Sequence, residues 1–136
     1  MFASQTLVGY NLYGGIMKEN ILIDKSIDFG ARIVKLYRYL VKNKHETILS
    51  KQILRSGTSI GANINEAQYG NSKVDFIAKL HIALKETAET EYWLHILEKS
   101  DYLDENMVSS MLKDCLEIKR ILISSLNTAK QNASEK

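Results

Sequence analysis

Apolar residues recur along this chain at steps of three and four and nowhere in sustained strict alternation, which is the period of helices rather than strands. Leu22, Phe29, Ile33, Leu36 and Leu40 make one row, with Ile23, Ile27, Gly30, Val34, Tyr37 and Val41 beside it. Together they predict a first helix over 21–42, with a stripe wide enough to bury in a bundle. Asp24 and Asp28 come early and Arg32, Lys35, Arg38 and Lys42 late, as the helix dipole favours. Asn43 to Glu46 reads as a turn.

A second helix is predicted over 47–67 from Leu49, Ile53, Ser56, Ile60, Ile64 and Ala67. Gly70 is expected to cap it in the left-handed conformation. Ser72, with Asp75 three residues on, predicts the N-cap of a third helix over 73–100. That helix is apolar on more than one face. Phe76, Leu80, Ala83, Leu94 and Leu97 lie on one; Ile77, Leu84, Ala88, Tyr92 and Ile96 lie on others. So much apolar surface implies two neighbours and places this helix at a subunit contact. Asp104 is the expected N-cap of a fourth helix over 105–130, whose core row is Val108, Leu112, Cys115, Leu122, Leu126 and Ala129. Four helices with short connections predict an all-α fold, an antiparallel up-down-up-down four-helix bundle.

Residues 1–16 (MFASQTLVGYNLYGGI) carry no charge and no helical period. They are expected to be a leader or an upstream extension, with the bundle over 17–130 and a polar, frayed tail over 131–136. The alternative is a genuine N-terminal arm.

The stretch Leu54 to Ala67 (LRSGTSIGANINEA) is the least ordinary. It keeps the helical rhythm yet holds two glycines, two serines, a threonine and two asparagines. A glycine costs about 1 kcal/mol against alanine inside a helix, so two need a reason. Gly57 and Gly61 are four apart on one face, where missing side chains let a neighbouring helix come close.

The composition is that of an ordinary globular chain, 45% hydrophobic and 25% charged, and at 136 residues it allows one domain. There is no proline to break a long helix. The single cysteine, Cys115, excludes an internal disulfide framework and fits a reducing cytoplasm. No apolar run approaches the roughly 18 residues of a membrane span, so no membrane partner is expected.

The net charge of +2 conceals an asymmetry. Seven cations and one acid, Glu46, lie between Arg32 and Arg55; eight acids and three lysines lie between Val74 and Asn106. The basic part suits a polyanion, or else the acidic part of this chain or of a neighbouring subunit.

Catalytic chemistry has little support. His81 and His95 are fourteen residues apart, about 21 Å along a helix, and cannot share an ion. Glu91 and His95 are four apart, but no further ligand gathers with them. No metal and no cofactor are expected. Cys115 reads as a small core residue. Glu86 and Glu89, with Glu66 on the preceding helix, could act as paired carboxylates, but a salt-bridging face is the commoner use of such a pattern.

Arg55, Ser59, Asn63 and Glu66 step along one side of the second helix. Arg55 either pairs with an acid of the third helix and sets its register, or joins Lys51 and the first-helix cations in touching phosphate. Of the adjacent Tyr92 and Trp93, one can face the core and the other a partner.

Met17 to Ile21 (MKENI), the Leu54–Ala67 stretch, Lys73 to Leu80 (KVDFIAKL) and Ala83 to Leu94 (ALKETAETEYWL) together resemble the bacterial four-helix-bundle family also called the 23S rRNA intervening-sequence proteins. The resemblance runs from about Met17 to Lys130 and departs only in the extra residues 1–16. It implies a small antiparallel bundle assembled as a ring-like homopentamer. Some members are encoded inside insertions in ribosomal RNA genes, and their activity is not established. A similar fold serves as the accessory variability protein of diversity-generating retroelements, where a basic pentamer binds nucleic acid and a reverse transcriptase.

By that likeness the positions expected to meet RNA or DNA are Arg32, Lys35, Arg38, Lys42, Lys51 and Arg55. Those expected at helix packing or subunit contacts are Gly57, Gly61, Asn63, Glu66, Glu86, Glu89, Tyr92 and Trp93. The alternative is a protein-interaction scaffold whose charge asymmetry serves subunit assembly only. An enzyme using Glu86 or Glu89 is the weakest reading.

Overall fold

The structure, a computed structural model, describes the backbone of residues 16–134 and the side chains of residues 21–132. It contains α1 (Ile16–Lys44), α2 (Leu49–Ala67), α3 (Lys73–Lys99) and α4 (Glu105–Ser134), and no strand among the described residues. Each helix packs on its neighbour in the chain, and α1 closes the circuit against α4. That is the up-down-up-down bundle the helical period implies. The expected leader, as far as residue 15, lies outside the described residues. α1 already begins at Ile16, and α4 continues through residues 131–134, which the sequence reading assigned to a frayed tail. No proline or glycine stands near the end of α4 to stop it.

The core is filled by the rows with the cleanest spacing. Phe29, Ile33 and Leu40 of α1, Ile53, Ile60 and Ile64 of α2, Leu80 and Leu94 of α3 and Leu122 of α4 are all at most 1% exposed. The second row of α1 is not fully enclosed: Ile27 is 63% exposed, and Val34, Tyr37 and Val41 are half-buried. An isolated bundle needs only one stripe per helix in its core, so the two rows of α1 do not merge into one buried face. On α3, likewise, Ile77, Leu84 and Ile96 are half-buried, while Ala88 and Tyr92 are exposed.

The turns use different devices. After α3, Asp101 adopts a positive φ of 68°. The Tyr102 N–H then reaches back to the Leu97 carbonyl at 2.9 Å and the Asp101 N–H to Glu98 at 3.0 Å, a Schellman closure. Asp104 accepts the Met107 N–H at 2.8 Å and starts α4. Ser72 accepts the Asp75 N–H at 3.2 Å and starts α3.

Gly70 is not a left-handed cap, contrary to expectation; α2 ends through the N–H groups of Tyr69 and Gly70 bonded to the carbonyls of Glu66 and Ala67. A side chain there would be a tight fit. A Cβ would sit 3.3 Å from the Ala67 carbonyl oxygen, the Asp75 Cβ and the Phe76 nitrogen.

Between α1 and α2, His45 takes a φ of 54° and the Glu46 N–H bonds to the Leu40 carbonyl at 2.9 Å. That turn folds the Glu46 side chain over the start of α2. Its carboxylate accepts the N–H groups of Ile48, Leu49 and Ser50 at 3.1, 2.9 and 2.6 Å, and it is only 7% exposed.

Candidate nucleic-acid interface

α2 holds its unusual composition as a helix because the polar side chains bond to their own backbone. Thr58 donates to the Leu54 carbonyl at 2.7 Å, Ser59 to Arg55 at 2.6 Å and Asn63 to Ser59 at 2.8 Å. The small face meets α1 directly. A Cβ on Gly57 would lie 2.7–2.9 Å from three side-chain carbons of Ile33, and one on Gly61 would lie 3.0 Å from Ser26 Oγ. On the α3 side, Ser56 and Thr90, both fully buried, bond to each other at 2.9 Å, and Thr90 also donates to the Glu86 carbonyl. Gly57 and Gly61 therefore mark a close contact between helices of one chain.

Arg55 crosses from α2 to α3. One guanidinium nitrogen bonds to Glu89, and the other stands 3.6 Å from Glu86 Oε1, an ion-pair contact just beyond hydrogen-bond length. The Trp93 indole N–H donates to the same Glu89 oxygen at 3.0 Å. That donation, helped by Arg55 and opposed by partial burial, holds the Glu89 carboxyl below its ordinary pKa. Glu66 pairs with Lys79 across the same helices at 2.8 Å. Of the two readings of Arg55, the structure shows the pairing one. Glu86 and Glu89 are fastened to a cation, which is poor preparation for proton transfer.

The other acid of this region, Glu91, pairs with Lys119 at 3.0 Å, so it is already engaged by a cation rather than open to share a metal with His95. Cys115 is buried, its thiol bonded to the Thr87 carbonyl and pushed up to about 12 by burial first and then by Glu91 and Asp114. Such a thiol is unreactive near neutral pH. Trp93 packs against the core, while Tyr92 is 57% exposed and meets its ring edge-on, with centroids 5.2 Å apart.

The remaining basic positions divide in two. Arg32 is tied to α4 through Asp114 at 2.6 Å and Ser110 Oγ at 2.8 Å. Lys35, Arg38, Lys42 and Lys51 are exposed and make no ion pair among the described residues. Lys35, Arg38 and Lys42 follow one another at three and four on α1, so they share its outer face. α1 thus presents a row of cations in no ion pair among the described residues, while Arg32 and Arg55 hold helices together.

Residues 18–124 match the family described as 23S rRNA-intervening sequence protein. The chain belongs to this family. A solved structure from Bacteroides thetaiotaomicron VPI-5482, described as a protein with unknown function from the S23 ribosomal protein family, is 52% identical to it. The two superpose with a TM-score of 0.81 over 82% of this chain and 99% of that one. Comparison with curated proteins returns no match. For a member of the intervening-sequence family, then, fold is shared across nearly the whole domain, and the description of the solved relative names no activity.

Two features of the site escaped the sequence reading. In the sequence Glu46 is a lone acid in a basic stretch, yet its carboxylate accepts the first N–H groups of α2 in place of an N-cap side chain. A groove between α1 and α4 brings Tyr39 beside Met107, residues far apart in sequence and on different helices. The first carried a signal in principle: an acid two to four residues before a helix start, next to a position able to take positive φ. The second carried none.

Proposed function

We propose that this intervening-sequence family protein is a non-enzymatic, cytoplasmic homo-oligomer, a pentamer by its likeness to the family, that binds RNA or DNA through Lys35, Arg38, Lys42 and Lys51. The observation that carries the reading is the division of charge. Glu86, Glu89 and Glu91, half-buried on α3, are occupied by Arg55 and Lys119 of the same chain, whereas the α1 row and Lys51 have no carboxylate partner among the described residues. Phosphate is the natural complement of such a row, and a ring multiplies a weak patch by avidity. Self-association is supported by apolar surface that one chain leaves open. Ile23 and Ile27 line a groove with Gly30, Gly61 and Ala62 between α1 and α2, and Ile82 and Tyr92 lie exposed on α3.

A second reading has its own observation. In an antiparallel bundle the α1–α2 and α3–α4 turns lie at the same end. Lys42 and Lys44 are at the first, while Asp101, Asp104 and Glu105, exposed and in no ion pair among the described residues, are at the second. One subunit's basic corner could meet the next one's acidic corner, making a scaffold assembled by charge.

The test is fluorescence anisotropy with labelled RNA and DNA over a salt series. Lys35→Glu, Arg38→Glu and Lys42→Glu combined should weaken binding at least about tenfold and flatten the salt dependence by about two to three units of slope, about 0.7 to 0.9 for each of the three lost phosphate contacts. Binding that is absent at low salt, or indifferent to the triple reversal, would remove this reading and leave the scaffold.

A further inference from the structure

The groove between the second half of α1 and the first turns of α4 has a volume of about 520 Å³. Its floor and wall are Leu36, Tyr39, Met107 and Met111; Arg32, Lys35, Asn106 and Ser110 form its rim. Leu36 and Met111 are buried, and Tyr39 and Met107 are half-buried against the core, so the accessible apolar surface of the groove comes mainly from Tyr39 and Met107. The volume suits one ring system with its attached sugar, in the range usual for small-ligand sites.

The chemistry of the groove is specific. The unbranched thioether of Met107 adapts to a flat guest and makes favourable contacts with aromatic rings. Tyr39 offers a ring for stacking. Asn106 is exposed, and its amide carries both donors and an acceptor for a base edge. Arg32 is neutralised by Asp114, so charge at the rim comes from Lys35 and continues along Arg38 and Lys42. Apolar floor, polar reading group and cationic track are the three parts of a single-strand site, in which a base stacks while its backbone follows the charges. A duplex keeps its bases paired and stacked, and its regular phosphates meet only the track.

We infer that the α1–α4 groove takes one unstacked base of a single-stranded nucleic acid whose backbone runs along Lys35, Arg38 and Lys42. The inference rests on the nucleic-acid reading above and adds the strandedness and the position of a base.

The probes are a labelled oligouridylate about twelve nucleotides long, within the span of known single-strand sites, and a duplex of equal length. The single strand should bind more tightly. Tyr39→Leu should weaken it about tenfold, the loss expected for one stacked base, while leaving the duplex unchanged; Tyr39→Phe should restore it. Asn106→Ala, at an exposed position, should alter the preference among oligouridylate, oligoadenylate and oligocytidylate without affecting folding. Equal affinity for both probes, or a Tyr39→Leu protein of native melting temperature that binds like the parent, overturns the groove assignment and leaves the cationic row standing. Failure of both probes to bind overturns both.

Discussion

Gly57→Ala should destabilise the bundle, and Gly30→Ala should stabilise it, although both glycines lie inside helices. By intrinsic propensity each substitution gains up to about 1 kcal/mol. The surroundings decide the sign. Around Gly30 an added Cβ meets nothing within 4 Å. At Gly57 it would lie 2.7–2.9 Å from Cγ1, Cδ1 and Cγ2 of Ile33, well inside contact distance.

Ile33 cannot give way cheaply. It is fully buried, and a β-branched side chain in a helix has essentially one χ1 well. Relief requires α1 and α2 to separate, and overpacking of this kind costs about 1–3 kcal/mol, more than the propensity gain. The net expected loss for Gly57→Ala is up to about 2 kcal/mol, or up to roughly 8 °C in melting temperature for a domain of this size. Gly57→Leu should exceed it. Thermal unfolding of the two alanine variants side by side checks the claim, and a rise for Gly57→Ala would show that the small face does not set the α1–α2 distance.

The second large effect is expected at Glu46. Its carboxylate accepts three N–H groups at the start of α2, where the helix's own N-cap residue, Ile48, supplies no side-chain bond. Glu46→Ala would leave the buried Ser50 N–H, and the part-buried N–H groups of Ile48 and Leu49, without their acceptor at the positive end of a dipole, a loss of about 1–3 kcal/mol.

The same contacts give a pH dependence. Burial raises the Glu46 pKa, but the N–H groups of Leu49, Ser50 and Ile48 and the Ser50 side chain outweigh it, so the net shift is downward. A group whose pKa is lower folded than unfolded stabilises the fold above its unfolded value, near 4.5, and that stability is lost as pH falls through the folded value. Denaturant titrations from neutral pH down to the acid range should show Glu46→Gln losing less stability than the parent below about pH 4.5 while being less stable above it. Parallel acid limbs would place the charge of Glu46 outside the cap.

How much of this was legible in the sequence depends on the range of each interaction. Helix periods are local, so Phe29, Ile33 and Leu40 on α1 and Leu80 and Leu94 on α3 could be placed in the core from spacing alone. Caps that act through a side chain one turn away were legible too, as at Ser72 and Asp104. Gly70 was misread because a glycine after a helix fits two needs, left-handed backbone and close approach, and the sequence does not separate them. The second apolar row of α1 was assigned to the core because periodicity reports which face is apolar and says nothing of what covers it; Ile27 is 63% exposed in the single chain. The fate of each cation was beyond spacing altogether. Arg32 and Arg55 are spent on Asp114, Glu86 and Glu89, partners that only the packing of helices brings near, while Lys35, Arg38, Lys42 and Lys51 are left outside.

The central claim is that assembly is apolar and the free cations serve nucleic acid. The direct measurement is size-exclusion chromatography with light scattering on nuclease-treated protein, at low and high salt, with and without a mixed pool of RNA and DNA. The account predicts a particle several times the 15.5 kDa chain mass at both salts, shifting with nucleic acid at low salt only. A particle that falls apart as salt rises and ignores nucleic acid at low salt would contradict it.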